Sequence, residues 1–130
     1  MRMLHQDDES EENTEVTWED QQKINNFSKL NSRASDLEDN IAKQKSEKEA
    51  LDDLAMELEL ADEDEPVDYK IGEAFFRIPL PRAQALIVKD QEAAEAEITK
   101  LQAQIDECRE EMKELKVALY AKFGKQINLD

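Results

Sequence analysis

Histidine and cysteine, which often act as general base and nucleophile in catalysis, each occur only once in this sequence. The one histidine, His5, lies in an acidic N-terminal stretch, and the one cysteine, Cys108, lies in an apolar heptad pattern. General acid–base and nucleophilic chemistry need such groups positioned together in a pocket. The sequence also lacks a glycine-rich loop that could bind phosphate. We therefore predict that the protein is not an enzyme and needs no cofactor.

Carboxylates are the most abundant chemical groups, with 33 Asp and Glu against 17 Lys and Arg and a formal net charge of −16. They fall on predicted solvated faces of helices, where no pocket shifts their pKa values. The run Asp62-Glu63-Asp64-Glu65 lacks the alternating ligands and turn glycine of a calcium loop, so we predict no metal site. The same charge repels phosphate backbones and anionic lipids, which argues against nucleic acid or membrane as a partner.

Because the polar side chains indicate no catalytic or metal site, apolar residues are the candidates for binding a partner. The helices of the chain must position them. Only 2 of the 130 residues are Gly and 3 are Pro, which is typical of long helices. Thr17 and Asp20 have the spacing of a helix N-terminal cap, and apolar residues then recur three and four apart. This pattern predicts helices over residues 17–60 and 81–123, with Gly124 ending the second.

The two predicted helices have matching heptad seams and should pair as a long antiparallel coiled coil. The register places Leu37 opposite Ile105 and Ile41 opposite Leu101. Lys48 and Gln91 interrupt the seam in neighbouring layers, where we expect the weakest packing. Before the first helix, residues 1–15 are acidic and lack apolar periodicity, which predicts a disordered tail.

The segment between the helices has the pattern of a β-hairpin. An acidic linker, residues 61–66, ends at Pro66, and residues 67–78 are rich in β-branched and aromatic types. Gly72-Glu73 fits a two-residue turn with glycine first. The predicted pairs are Val67–Ile78, Tyr69–Phe76 and Ile71–Ala74 on an apolar face, with Lys70–Phe75 and Asp68–Arg77 on the other face.

Two explanations are open for the apolar face of this hairpin. An isolated two-stranded hairpin is marginally stable, and its exposed edges favour pairing with equivalent hairpins in an oligomer. Alternatively, the hairpin folds down onto the helices of its own chain. The predicted oligomerisation residues are Val67, Tyr69, Ile71, Gly72, Ala74, Phe75, Phe76 and Ile78.

At the opposite ends of the two helices, further apolar residues gather. Trp18, Ile24, Tyr120 and Phe123 lie off the strict seam, so a two-helix coil cannot bury all of them. They form either an exposed binding surface or a locally packed end cap. The whole predicted set is Val16, Trp18, Ile24, Phe27, Leu30, Leu119, Tyr120, Phe123, Ile127 and Leu129.

Long helix, β-hairpin and long helix is the layout that resembles a β-type subunit of prefoldin. The segments Val16–Asn25, Ile71-Gly72 with Phe75, and Leu119–Gly124 with Ile127-Asn128-Leu129 resemble that family, and the resemblance covers about residues 16–129. It implies a prefoldin β-type domain over 16–130, with residues 124–130 forming the C-terminal tip.

The resemblance further implies a heterohexamer of two α-type and four β-type subunits whose hairpins join into a β-barrel. It implies an ATP-independent holdase that captures unfolded actin and tubulin at the coiled-coil tips and transfers them to the cytosolic chaperonin. The client-binding residues would be the ten apolar residues at the helix ends, and the hairpin residues would form the assembly surface.

Other features of the sequence bear on location and on an alternative function. The N-terminal residues lack the order of a signal peptide, and no apolar run approaches the length of a membrane helix. We predict a cytoplasmic protein, and a nuclear pool is compatible with this prediction. The alternative function is a coiled-coil scaffold or adaptor that docks one folded partner and binds no unfolded chains.

Overall fold

A computed structural model describes residues 15–129, and the predicted disordered tail lies outside these residues except for Glu15. The described chain is mainly α-helical. Its elements follow the order α1 (Trp18–Glu59), β1 (Val67–Ile71), β2 (Ala74–Ile78), α2 (Leu80–Phe123) and a short 3₁₀ helix (Gly124–Gln126). The predicted fold class, two long helices with one β-hairpin between them, is therefore confirmed.

The described residues belong to two compact units, which we call the end unit and the hairpin unit. The end unit contains the described parts of Met1–Glu38 and Gln102–Asp130, and the hairpin unit contains Asp39–Leu101. In both units α1 packs against α2 with the chain directions reversed. Ile24 and Phe27 share a buried cluster with Leu119 and Phe123 in the end unit. Leu58 packs with Leu80, Ala83 and Ile87 in the hairpin unit.

Helix α1 begins with the predicted cap. The amide of Asp20 donates to Oγ1 of Thr17 at 3.1 Å, and the amide of Thr17 donates to Oδ2 of Asp20 at 3.0 Å. These reciprocal bonds satisfy amides that have no partner within the helix. At the other end, the amide of Ala61 donates to the Leu58 carbonyl at 3.3 Å, which tightens the last turn.

Helix α2 begins one residue before the predicted Pro81. The carbonyl of Pro79 accepts hydrogen bonds from the amides of Arg82 and Ala83, both at 3.1 Å, so Pro79 caps the helix and Pro81 lies in its first turn. Gly124 follows the last residue of α2 with a φ of 56°. This left-handed conformation suits glycine and ends the helix as predicted.

The heptad residues supply the buried positions along both helices. Both members of the predicted pairs Leu37–Ile105 and Ile41–Leu101 are buried. Lys48 and Gln91, the polar residues that interrupt the seam, are both bonded to Asp52 in the hairpin unit. Gln91 Nε2 donates to Asp52 Oδ1 at 2.8 Å, and Lys48 Nζ lies 3.2 Å from Asp52 Oδ2. The Gln91 hydrogen bond, with Lys48, lowers the pKa of Asp52, so these polar groups are partnered where the apolar seam is interrupted.

The two strands pair antiparallel in the predicted register. Val67 faces Ile78, Tyr69 faces Phe76 and Ile71 faces Ala74. Gly72 has a φ of 63°, and no residue other than glycine among those described has a positive φ. A left-handed first turn residue followed by Glu73 with negative φ fits the predicted glycine-first turn, which matches the twist of the strands.

Candidate functional site

The hairpin packs one part of its apolar face against the helices of its own chain. Val67, Tyr69 and Ile78 are half-buried against the cluster that contains Leu58 and Leu80. The Tyr69 hydroxyl also donates to Asp90 Oδ2 at 2.9 Å. Burial and the neighbouring Asp90 carboxylate raise the pKa of Tyr69, because both disfavour a phenolate. The open end of the hairpin is therefore anchored on the helices.

The turn end of the hairpin is not covered by the described chain. Phe76 keeps 49% of its surface exposed, and Phe75, on the opposite face, is exposed as well. Ala74 and Gly72 are also exposed. The described residues contain only these two strands, so each strand has one edge without a strand partner. Packing on the helices of its own chain therefore accounts for the open end of the hairpin, while pairing with equivalent hairpins stays a prediction for the turn end.

Charged side chains flank these exposed aromatic rings. Arg77 Nε donates to Asp68 Oδ1 at 3.2 Å, which is the charge pair predicted from the register. Lys70 Nζ lies 5.8 Å from the centroid of the Phe75 ring, within the range of a cation–π contact. The exposed aromatic rings of Phe75 and Phe76, the flanking charges and the free strand edges together form what we call the hairpin surface.

The apolar residues at the helix ends form a packed core, which we call the end cluster. Its buried members are Ile24, Phe27, Leu119, Phe123, Ile127 and Leu129, and Val16, Met112, Leu115 and Tyr120 pack against them. Leu30 is half-buried. Of the two alternatives for the off-seam residues, a locally packed end cap therefore describes Ile24 and Phe123.

The C-terminal segment accounts for this burial. After Gly124 the chain forms a 3₁₀ turn and becomes extended at Ile127, so a third stretch of chain adds Ile127 and Leu129 to the core of the two helices. The amide of Leu129 donates to the Tyr120 hydroxyl at 3.1 Å. Tyr120 thus holds the segment against α2, and a two-helix description of this end was incomplete.

One ion pair links the start of α1 to the end of α2 beside the end cluster. The carboxylate of Asp20 is buried and is paired with Lys122. The hydrogen bond from Lys122, with that from the Thr17 amide, lowers the pKa of Asp20 to about 2. Lys122 Nζ also lies 5.4 Å from the centroid of the Phe123 ring. Sequence reasoning identified Asp20 only as a cap, although the register that pairs Leu37 with Ile105 also pairs Asp20 with Lys122.

Trp18 differs from the other predicted end residues because 72% of its surface is exposed. It lies in the first turn of α1, directly after the capping residue Thr17. A large exposed aromatic side chain next to a packed apolar core gives this end of the molecule an apolar contact point. The structure brings eight of the ten predicted residues together in the end cluster, while Leu30 is half-buried outside it and Trp18 is exposed.

The described residues also bear on metal sites and membrane spans. Within residues 15–129, no three His, Cys, Asp or Glu side chains are grouped in a way that could hold a metal ion. In the same residues, neither helix has an apolar stretch long enough to cross a membrane.

The chain is similar in sequence to known prefoldin subunits. The prefoldin subunit family model matches residues 21–126. Prefoldin subunit 4 of Saccharomyces cerevisiae is 45% identical over 118 residues, which cover 91% of this chain and 92% of the yeast protein. Prefoldin subunit 4 of Homo sapiens is 35% identical over 120 residues, covering 92% of this chain and 90% of the human protein.

Solved structures give an independent comparison of the fold. The crystal structure of the prefoldin beta subunit from Thermococcus strain KS-1 superposes with a TM-score of 0.77 and covers 85% of this chain and 97% of that chain. Its sequence identity is 16%, so this likeness concerns the fold alone. The match to the family model and the identity to the subunit 4 relatives show that this chain belongs to the prefoldin subunit family.

Proposed function

We propose that the chain is a β-type subunit of a heterohexameric prefoldin, an ATP-independent holdase that captures unfolded polypeptides and transfers them to the cytosolic chaperonin. The expected clients are actin and tubulin, and the expected partners are the other α-type and β-type subunits. Membership of the prefoldin subunit family carries the general assignment. The hairpin surface is the observation that carries the assembly role.

Assembly would cover the part of the hairpin that the helices leave exposed. Val67, Tyr69 and Ile78 already contact the chain's own core. Phe75 and Phe76 are exposed beside strand edges that have no strand partner within residues 15–129. Burying an aromatic side chain contributes on the order of 2 kcal/mol, and strand pairing satisfies the edge groups. Hairpins of neighbouring subunits that form a β-barrel would supply both.

Phe76→Asp tests this role without disturbing the chain's own core. The matched control is Val88→Asp, which makes the same kind of change in α2 at a side chain with the same 49% exposure. Native mass spectrometry of the chain expressed with its partner subunits should give a hexamer for the unchanged chain and for Val88→Asp, and smaller species for Phe76→Asp. A hexamer of normal stability with Phe76→Asp would refute the assembly role. Ile78 is less suitable because it packs against Leu80 and its neighbours.

Client capture is proposed for the end unit, and burial decides how its residues take part. Trp18 is available at the surface, while Val16, Leu30 and Tyr120 are half-buried. Such contacts are individually weak, so capture would depend on several subunits holding one unfolded chain together. The six buried residues of the end cluster would contribute only when the end opens locally.

The alternative function, a scaffold that docks one folded partner, makes a different prediction for the same surface. A scaffold would leave unfolded proteins free to aggregate, whatever residue is present at position 18. A prefoldin subunit should lose part of its capture when Trp18 becomes Ser. Val117→Ser is the matched control, since Val117 lies in the same unit and has 64% of its surface exposed.

A further inference from the structure

The hairpin unit contains a second apolar surface, separate from the hairpin itself. An open groove runs between α1 and α2, and its apolar floor is made by Ala50, Leu51 and Leu54 of α1 and by Ala93 and Ala94 of α2. Leu54 keeps 38% of its surface exposed, and Leu51 is half-buried. Because Ala93 and Ala94 are small, Leu51 and Leu54 of α1 contribute the larger apolar side chains of the groove.

The rim of this groove carries charge of one sign. Glu47, Asp90 and Glu97 line it, and none of the described residues that line it is basic. Asp90 accepts the hydrogen bond from Tyr69 and is thereby held in place. Lys43 and Lys100 follow at helical spacing beyond Glu47 and Glu97. Lys48, next to Glu47, is paired with Asp52 and Glu95.

The dimensions of the groove fit a helix. Its α1 residues extend from Gln44 to Leu54, which at a rise of about 1.5 Å per residue corresponds to three turns. A third helix that lies in the groove between two others presents apolar residues three and four positions apart to the floor. Residues flanking that stripe would then meet the carboxylates of the rim.

Charge decides among the possible occupants. The N-terminal residues of this chain contain Asp7, Asp8, Glu9, Glu11 and Glu12 against Arg2, so the rim would repel them. A second copy of the chain, with a formal net charge of −16, is also unfavourable. Lysine and arginine side chains flanking an apolar stripe complement the rim.

We propose that this groove docks a basic amphipathic helix of a partner protein, about three turns long, with its apolar stripe on Leu51, Leu54 and the alanines. The surface is separate from the hairpin surface and the end cluster, and its role does not depend on the proposed holdase activity. It would let the subunit hold a partner protein while the other two surfaces are in use.

The test uses a fluorescent 14-residue peptide of leucine and lysine with a helical amphipathic pattern, and a counterpart in which every lysine is glutamate. Binding is measured by fluorescence anisotropy on the full chain assembled with its partner subunits. The lysine peptide should bind more tightly than the glutamate peptide. Leu54→Asp should weaken binding of the lysine peptide about tenfold, because an apolar contact is lost.

Leu54→Asp separates the groove from general attraction between opposite charges, since it adds a negative charge. Unspecific attraction would make the lysine peptide bind more tightly to Leu54→Asp, and this result would overturn the proposal. Val117→Asp makes the same chemical change in the end unit and should leave the affinity unchanged; a loss equal to that of Leu54→Asp would also overturn it.

A second variant guards against misfolding of Leu54→Asp. Glu47→Lys with Glu97→Lys leaves the apolar floor intact and should reverse the preference, so that the glutamate peptide binds more tightly. Glu107→Lys with Glu110→Lys, two exposed positions of α2 outside the groove, is the control with the same change in charge. An equal shift in preference for both double variants would contradict a site in the groove.

Discussion

Leu119→Ala is the most direct probe of the packed end cluster. Leu119 is only 1% exposed and lies among Ile24, Phe27 and Phe123. Removing a buried leucine side chain costs about 2–5 kcal/mol, depending on how far the surroundings collapse. Part of the cluster, Ile127 and Leu129, belongs to the short C-terminal segment. If this segment moves inward to fill part of the space, the loss falls in the lower part of this range, about 2–3 kcal/mol, which is the loss we expect.

Hydrogen exchange measures this loss where it occurs. If amides in the last turns of α2 exchange by local opening, a loss of 2–3 kcal/mol makes their exchange roughly 30- to 150-fold faster. Val117→Ala is the control, because Val117 is exposed two residues earlier in the same helix. A surface change of this kind alters stability by no more than about 0.5 kcal/mol, or roughly twofold in exchange. If Leu119→Ala changes exchange no more than Val117→Ala does, the end cluster is not a packed core.

Three other predictions concern single interactions. Because the hydrogen bond from Lys122, with that from the Thr17 amide, lowers the pKa of Asp20 from 3.8 to about 2, the stabilising effect of Asp20 should be complete above pH 3.8 and lost as the pH falls towards 2. The melting temperatures of the unchanged chain and of Asp20→Asn, followed by circular dichroism, should therefore converge over this range. A constant difference would contradict the assignment. Tyr120→Phe removes the hydroxyl that accepts the hydrogen bond from the Leu129 amide. Loss of this hydrogen bond costs about 1 kcal/mol, so the Leu129 amide should exchange roughly fivefold faster. Unchanged exchange would show that the hydroxyl does not hold the C-terminal segment. Gly72→Ala places a side chain at a φ of 63°, and nothing lies within 4 Å of the added carbon. Backbone strain alone should therefore weaken the hairpin by about 1–2 kcal/mol, which would make its amides exchange faster. Unaltered protection of these amides from exchange would count against the turn geometry.

The strands and the register of the hairpin could be predicted from the sequence, because the residues that determine them are close together in the chain. The glycine-first turn at Gly72-Glu73 fixes the register, and alternation of side chains then determines every facing pair. How much of its apolar face the helices cover depends on the way the hairpin lies on Leu58 and Leu80. No pattern in the sequence encodes that placement, so exposure of Phe76 but not of Ile78 required the structure.

The end cluster shows the limit of pattern-based reasoning more clearly. The heptad seam identified Phe27 and Leu119, but burial of Ile24 and Phe123 depends on the return of the C-terminal segment, which has no periodicity of its own. The Asp20–Lys122 pair is different, since the predicted register already placed the two residues opposite each other. The pair was not predicted, because the capping role already explains an acidic residue at position 20.

Suppression of client aggregation tests the central proposal most directly. Denatured actin is diluted into buffer without nucleotide, and light scattering is followed in the presence of the chain assembled with its partner subunits. We predict that scattering stays low with the complex that contains the unchanged chain or Val117→Ser. Scattering should rise further with the complex that contains Trp18→Ser. An assembled complex that leaves scattering unchanged would contradict the holdase function and favour a scaffold.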